Sequence, residues 1–231
     1  MIIYSSPCNP SGSVYTREEL EGLAAVLRRH EEIFIISDEI YELINFTGGH
    51  ASMASIEGMY DRTITVNGVS KGFAMTGYRL GYIGAPKWIA DACSKIQGQF
   101  TSAPCGISQM GCKAAVEADP AMVDYMKEAF LKRRDMMIEG LRKIEGLKVN
   151  VPTGAFYIFP DASELFGRSD GTHVINNAND LCNYILETEY VALVTGEAFG
   201  SPNCFRISYA ASEEELQEAL ERIQRALSKL K

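Results

Sequence analysis

Val66 to Tyr82 reads VNGVSKGFAMTGYRLGY, a run that ends one strand, breaks on Gly68 and Gly72, and turns apolar again from Leu80. It carries two cations, Lys71 and Arg79, and no acidic residue to neutralise them. A lysine meant for covalent chemistry is held near other cations or in an apolar pocket, because either favours its neutral amine. Lys71, between Gly68, Ser70, Gly72 and Phe73, suits a tight turn after a strand. It equally suits a lysine whose stem lies along apolar surface while its amine stays in water. Arg79 equally suits an ion pair at the edge of a core, and the run alone leaves both alternatives open.

Working outward, RTITVNG (62–68) and RLGYIGAP (79–86) read as the strands on either side of this turn, with Pro86 suited to the first turn of a following helix. Upstream, IFIISDEIY (33–41) is the pattern of a strand buried on both faces that stops at Asp38 and Glu39. MIIYSSP (1–7) reads as a short buried strand running into the turn NPSG (9–12), and Thr16 with Glu19 forms a capping box for a helix to about His30. Strands alternating with helices imply an α/β fold with a mostly parallel sheet. Only about four strands precede residue 119, fewer than the ~5–6 of an average sheet, so a partial sheet is expected.

The pattern changes at EADPAMVDYMKEAFLKRRDMMIEGLRKI (117–144), a long amphipathic helix entered through Asp119 and Pro120. LKVNVP, AFYIFPDAS, a helix around NNANDLCNYILETE, the strand pieces VALVTG and CFRISYA, and a last helix capped by Ser212 with Glu215 follow it. The expected organisation is therefore residues 1–119 as one domain and 120–231 as a smaller α+β domain.

Composition bounds the function. The 231 residues carry a formal charge of −8 and show no clustered basic face, which argues against a nucleic-acid partner. No apolar run reaches the ~18 residues of a membrane span, and MIIYSSPCNP lacks the basic start of a signal peptide, so no membrane partner and a cytoplasmic location are expected. Six cysteines without a CxxC pair and three dispersed histidines point to reduced thiols and no metal site. No GxGxxG follows a strand, which sets aside a nicotinamide-dependent dehydrogenase.

Asp38 sharpens the reading. A carboxylate just past a buried strand lies at the carboxyl edge of the sheet, where α/β proteins bind ligands, although it also suits a cap for the segment EIYEL. Tyr41, three residues on, can share its side of a helical turn.

At this point GVSKGFAMTGYRLG (68–81) resembles the lysine-attachment signature of the class I and II aminotransferases, enzymes of fold-type I that use pyridoxal 5'-phosphate (PLP). NPSG (9–12), DEIY (38–41) and FRISYA (205–210) resemble further motifs of that family in the same order. Within it, GQFTSAPCGISQMGCKAAVEADP (98–120) is most similar to aspartate aminotransferases of the prokaryotic subgroup.

The resemblance implies the C-terminal part of a PLP-transferase fold, with residues 1–119 as the remainder of the large PLP-binding domain. It implies Lys71 as the residue that carries the cofactor and shuttles a proton. Asp38 would hold the pyridine nitrogen protonated, and Tyr41 and Asn9 would bind the ring's 3'-oxygen. Ser70 and Arg79 would take the phosphate, and Arg206, with Asn9, the substrate α-carboxylate. Gly68 departs from members that have a serine there. The implied reaction is transamination between an amino acid, aspartate first, and a 2-oxo acid, 2-oxoglutarate first, in a homodimer. Family members are longer at the N-terminus, so a fragment, a split enzyme or a degenerate gene product is expected, with the isolated chain inactive. A non-catalytic truncated module and a PLP-dependent lyase of the same fold are the alternatives.

Overall fold

The computed structural model describes all 231 residues, Met1–Lys231. They pack as two compact units, one of residues 1–8 and 13–127, the other of residues 9–12 and 128–231.

The first unit is built on a four-stranded sheet of β1 (Ile2–Ser5), β2 (Ile35–Asp38), β3 (Thr63–Gly68) and β4 (Gly81–Gly84), in that spatial order. β1, β2 and β3 run parallel, so Ser5, Asp38 and Val66 stand side by side near their carboxyl ends. β4 returns antiparallel along β3 after residues 69–80, pairing Gly68 with Gly81. This is the expected α/β sheet, mixed but mostly parallel.

Helix α1 (Arg17–Leu27) starts at a complete capping box: the Thr16 hydroxyl accepts the Glu19 N–H while the Glu19 carboxylate accepts the Thr16 N–H. Leu20, Ala24 and Leu27 recur at helical spacing, and they bury against Ile35, Met53, Ile56 and Met59. The expectation that MIIYSSP is buried is corrected. β1 pairs only with β2, and Ile3 stays 64% exposed because nothing covers this edge. α2 (Lys87–Phe100) follows Pro86 as expected yet has no buried residue, leaving Trp88, Ile96 and Phe100 in the open. α3 (Gly106–Glu117) places Cys112 and Ala115 against Val69 and Leu80.

Asp119 caps a short 3-10 turn at Pro120–Val123, which leads into α4 (Asp124–Leu141), so the long amphipathic segment has two parts. The second unit takes α4 from residue 128. It adds β5 (Tyr157–Ile158), α5 (Ala178–Glu189), β6 (Val194–Thr195), β7 (Phe205–Ser208) and α6 (Glu213–Leu227). β7 is the centre of an antiparallel three-stranded sheet, β5-β7-β6. α6 carries Leu216, Leu220, Ile223 and Leu227 on one stripe, which joins Met137 and Leu141 of α4, Leu181 and Ile185 of α5, and Phe205 and Ile207 in one continuous core. Ser212 and Glu215 complete the second capping box. No helix is long and apolar enough to cross a membrane.

Candidate active site

The first unit gathers Asp38, Tyr41, Ser70, Lys71 and Arg79 around the carboxyl edge of its parallel strands. Asp38 is the last residue of β2; its backbone carbonyl accepts the Ser6 N–H, and its Oδ1 accepts the Ile40 N–H at 3.2 Å. The segment after it forms hydrogen-bonded turns, Glu42 N–H to Glu39 O and Ile44 N–H to Tyr41 O, where a helical turn was expected. These turns bury Tyr41 and bring its ring to 5.9 Å from Lys71 Nζ.

Lys71 lies three residues beyond β3 in a turn closed by the Ala74 N–H to Lys71 O and the Met75 N–H to Val69 O. A methyl group at Gly72 would meet the Leu43 side chain at 2.7 Å, so glycine is what lets this turn approach the Tyr41 turn. At Gly68 a Cβ would stand 3.0 Å from both Gly81 Cα and Leu80 O. A serine there would require β3 and β4 to part slightly, which gives a physical reason for the departure at this position. Ser70 is half-buried beside Lys71. Arg79 is exposed in the left-handed conformation, φ 51° and ψ 50°, and its one hydrogen bond runs from Nη1 to Thr76 O at 2.9 Å. No carboxylate pairs with it.

Beneath Asp38 lies a polar anchor that the motifs did not reveal. The Glu39 side chain is buried and accepts from Ser37 Oγ at 2.8 Å and Ser52 Oγ at 2.7 Å, while His50 Nε2 sits 2.7 Å from its other oxygen. Ser37 Oγ is also 2.9 Å from the Tyr4 hydroxyl. Having one proton, Ser37 gives it to the carboxylate and accepts from Tyr4. Burial pushes the Tyr4 phenol above its ordinary pKa, so it stays protonated for this role. Glu42, which accepts from Asn67 Nδ2, completes a group whose ligand-type atoms lie within 4.8 Å of those of Glu39 and His50. With hydrogen bonds already directed at both carboxylates, the arrangement serves as an anchor for the end of β2. Sequence signals were available only for Glu39, next to Asp38; His50 arrives through a loop.

The other two expected residues, Asn9 and Arg206, belong to the second unit, and there they meet. Arg206 on β7 donates from Nη1 to Asn9 Oδ1 at 2.7 Å. Its Cζ lies 4.5 Å from the Tyr157 ring centroid and 5.1 Å from that of Phe199. Arg206 Nε is buried with no hydrogen-bond partner. A buried donor left unpaired is destabilising unless a ligand satisfies it. Asn9 is held by its own segment: Gly12 O accepts the N–H groups of Thr153 and Gly154, and Asn150 Nδ2 donates to Ser11 O. Sequence reasoning found Asn9 and Arg206 but missed Tyr157 and Phe199, whose roles depend on β-pairing and on a distant turn.

A mostly parallel α/β sheet with an amine, a carboxylate and a phenol near the carboxyl edge of its strands is of the class that binds a ligand at that edge. The family model for aminotransferase class I and II matches residues 1–223, and the chain belongs to that family. It is 50% identical over its whole length to 49% of a bifunctional aspartate aminotransferase and glutamate/aspartate-prephenate aminotransferase of Petunia hybrida. Among solved structures, an aspartate aminotransferase from Rhizobium meliloti superposes with a TM-score of 0.94 at 41% identity, covering 99% of this chain and 58% of that one. An aromatic aminotransferase from Pyrococcus horikoshii gives 0.87 at 38% identity, over 98% and 59%. The chain thus spans about half the length of the relatives it matches.

Aminotransferases of this class use PLP. The residues present fit it on their own chemistry. Lys71 supplies an amine on a glycine-bounded turn, Asp38 a carboxylate at the sheet edge, and Arg79 an exposed guanidinium with no carboxylate competing for it.

Proposed function

We propose that this chain contributes its residues to a PLP-dependent transamination between an amino acid, aspartate, and a 2-oxo acid, 2-oxoglutarate. The reading is carried by the placement of Asp38 at the end of β2 and Lys71 three residues past the adjacent parallel β3, with the Tyr41 ring 5.9 Å from Lys71 Nζ. The names of the aspartate aminotransferase relatives support aspartate as the amino acid. When bound, PLP supplies a reactive aldehyde and an electron-accepting ring. Lys71 would be the attachment point and the base that moves a proton between the substrate α-carbon and the cofactor. Asp38 keeps a proton on the ring nitrogen, as a carboxylate beside a cationic N–H does. Tyr41 donates to the 3'-oxygen, and Asn9, whose Oδ1 is committed to Arg206, has its amide NH2 for the same kind of acceptor. Ser70 and Arg79 bind the phosphate, and Arg206 binds the substrate α-carboxylate with two parallel N–H donors.

The same proposal takes residues 1–119 as part of the PLP-binding domain and 120–231 as the small domain of a cytoplasmic homodimer. A preparation of these 231 residues alone is expected to turn over poorly, since β1 is an open sheet edge and the relatives are about twice as long.

The test is to incubate the purified chain with PLP, reduce with borohydride and map the modified peptide by mass spectrometry. The expected result is cofactor fixed on Lys71, and none in Lys71→Ala. Fixation spread over surface lysines, or unchanged in Lys71→Ala, overturns the assignment.

A further inference from the structure

Arg206 is held in a way that its proposed role does not by itself require. Its guanidinium carbon lies over two aromatic rings, with the Tyr157 centroid at 4.5 Å and that of Phe199 at 5.1 Å. Tyr157 pairs with Ser208 across β5 and β7, which makes it the diagonal neighbour of Arg206 on the same face of the sheet. Phe199 comes from elsewhere, the 3-10 turn Gly196–Phe199 between β6 and β7. That turn is clamped to the start of β7: the Gly196 N–H donates to Cys204 O at 2.7 Å, and the Ser201 N–H donates to Gly196 O at 2.9 Å. A Cβ at Gly196 would stand 2.2 Å from Ser201 O and 2.3 Å from Cys204 O, so only glycine closes the turn this tightly. Phe159 then meets Phe199 edge-on, with centroids 6.0 Å apart and planes at 89°.

The consequence for Arg206 is directional. Two ring centroids lie 4.5 and 5.1 Å from the guanidinium carbon, and Asn9 accepts one N–H of Nη1. Four N–H groups are left over: Nε, buried without a partner, two on Nη2, which shares an edge with Nε, and the second on Nη1. Two parallel N–H groups on one edge of a guanidinium match the two oxygens of a carboxylate. A cation over aromatic faces is also attracted to them, more strongly as water is removed, so the rings hold the group still before a ligand arrives.

We propose that Phe199, together with Tyr157, is a positioning residue for Arg206: the two rings fix the guanidinium so that its Nε/Nη2 edge is the docking edge for a carboxylate. This rests on the reading of Arg206 as a carboxylate-binding residue.

The test uses the full 231-residue chain labelled with 15N. The Arg206 Nε–H resonance is assigned by its loss in Arg206→Lys and followed during titration with succinate. In the unsubstituted chain it shifts to saturation. Phe199→Leu and Phe199→Met, which keep bulk and lose the ring, weaken succinate roughly 10-fold, whereas Phe199→Tyr stays within about twofold. Leu and Met variants that bind as tightly as the unsubstituted chain overturn the positioning role alone. So does equal weakening in all three variants, which would mean that Phe199 acts by packing only. Absence of any succinate shift in the unsubstituted chain overturns this proposal and the carboxylate reading of Arg206 together.

Discussion

The two units hold their candidate cations, Lys71 and Arg206, in different ways. Lys71 rides on a turn above a sheet with an open edge at β1, an exposed β4 and a helix, α2, that buries nothing. Arg206 sits in the central strand of a small sheet over one continuous core, with rings from two other segments 4.5 and 5.1 Å from its Cζ. The apolar surface of Trp88, Ile96, Phe100, Ile107 and Met110 all lies in the first unit. Motif order along a chain thus says little about how rigidly each motif is held; rigidity follows from how much apolar surface closes around it.

The comparison can be broken most directly by hydrogen exchange. Amides of α6 are expected to exchange only through opening of the second unit, and those of α2 by local fraying, a difference of at least about 100-fold in rate. Equal protection would show that the apolar face of α2 is covered in solution. A smaller effect is expected from truncation. Leu220→Ala, in the closed core, should lower stability by about 2–5 kcal/mol, and Ile96→Ala, on the open helix, by no more than about 0.5 kcal/mol in chemical denaturation.

The smallest effect is electrostatic. Glu189 accepts from Arg225 at 2.6 Å and Lys229 at 3.0 Å, and these partners lower its carboxyl pKa to about 2. A pKa lower in the folded than in the unfolded chain gives stability that is full above about pH 4.5 and fades as pH falls toward about 2. Arg225 and Lys229 are half-exposed, so the gain is modest. Thermal melts of the second unit should therefore drop between pH 5 and pH 2 less in Glu189→Gln than in the unsubstituted chain; parallel curves would remove the pair from the account.

The features legible in the sequence were those whose cause is local. Thr16 with Glu19 and Ser212 with Glu215 cap their helices because each box closes within four residues. The strand ending at Asp38 and the glycine turn of Lys71 were legible for the same reason. MIIYSSP was misjudged as buried because its exposure depends on which strands flank it, a property written nowhere in the seven residues. α3 gave no separate signal, since it starts at Gly106 after Pro104 without a side-chain cap. In the candidate site, Asp38, Lys71 and Arg206 were found by motif, but His50 reaches Glu39 through an eleven-residue separation, and Phe199 reaches Arg206 from another turn. Such supports are fixed by three-dimensional packing, so no spacing rule announces them.

Asn9–Gly12 packs with the second unit although its neighbours on both sides pack with the first. Gly12 sits at φ +67°, and a Cβ there would come within 2.3 Å of Pro152 Cβ, so this four-residue stitch is tightly seated. In terms of heredity, the second unit is not a cassette. A recombination crossover anywhere from Ser13 to Lys127 would bring in residues 128–231 with another parent's residues 9–12, and Arg206 would meet a foreign residue at position 9. Only an exchange that takes residues 9 to 206 whole, or leaves them whole, keeps Asn9 with Arg206 across their 197-position separation.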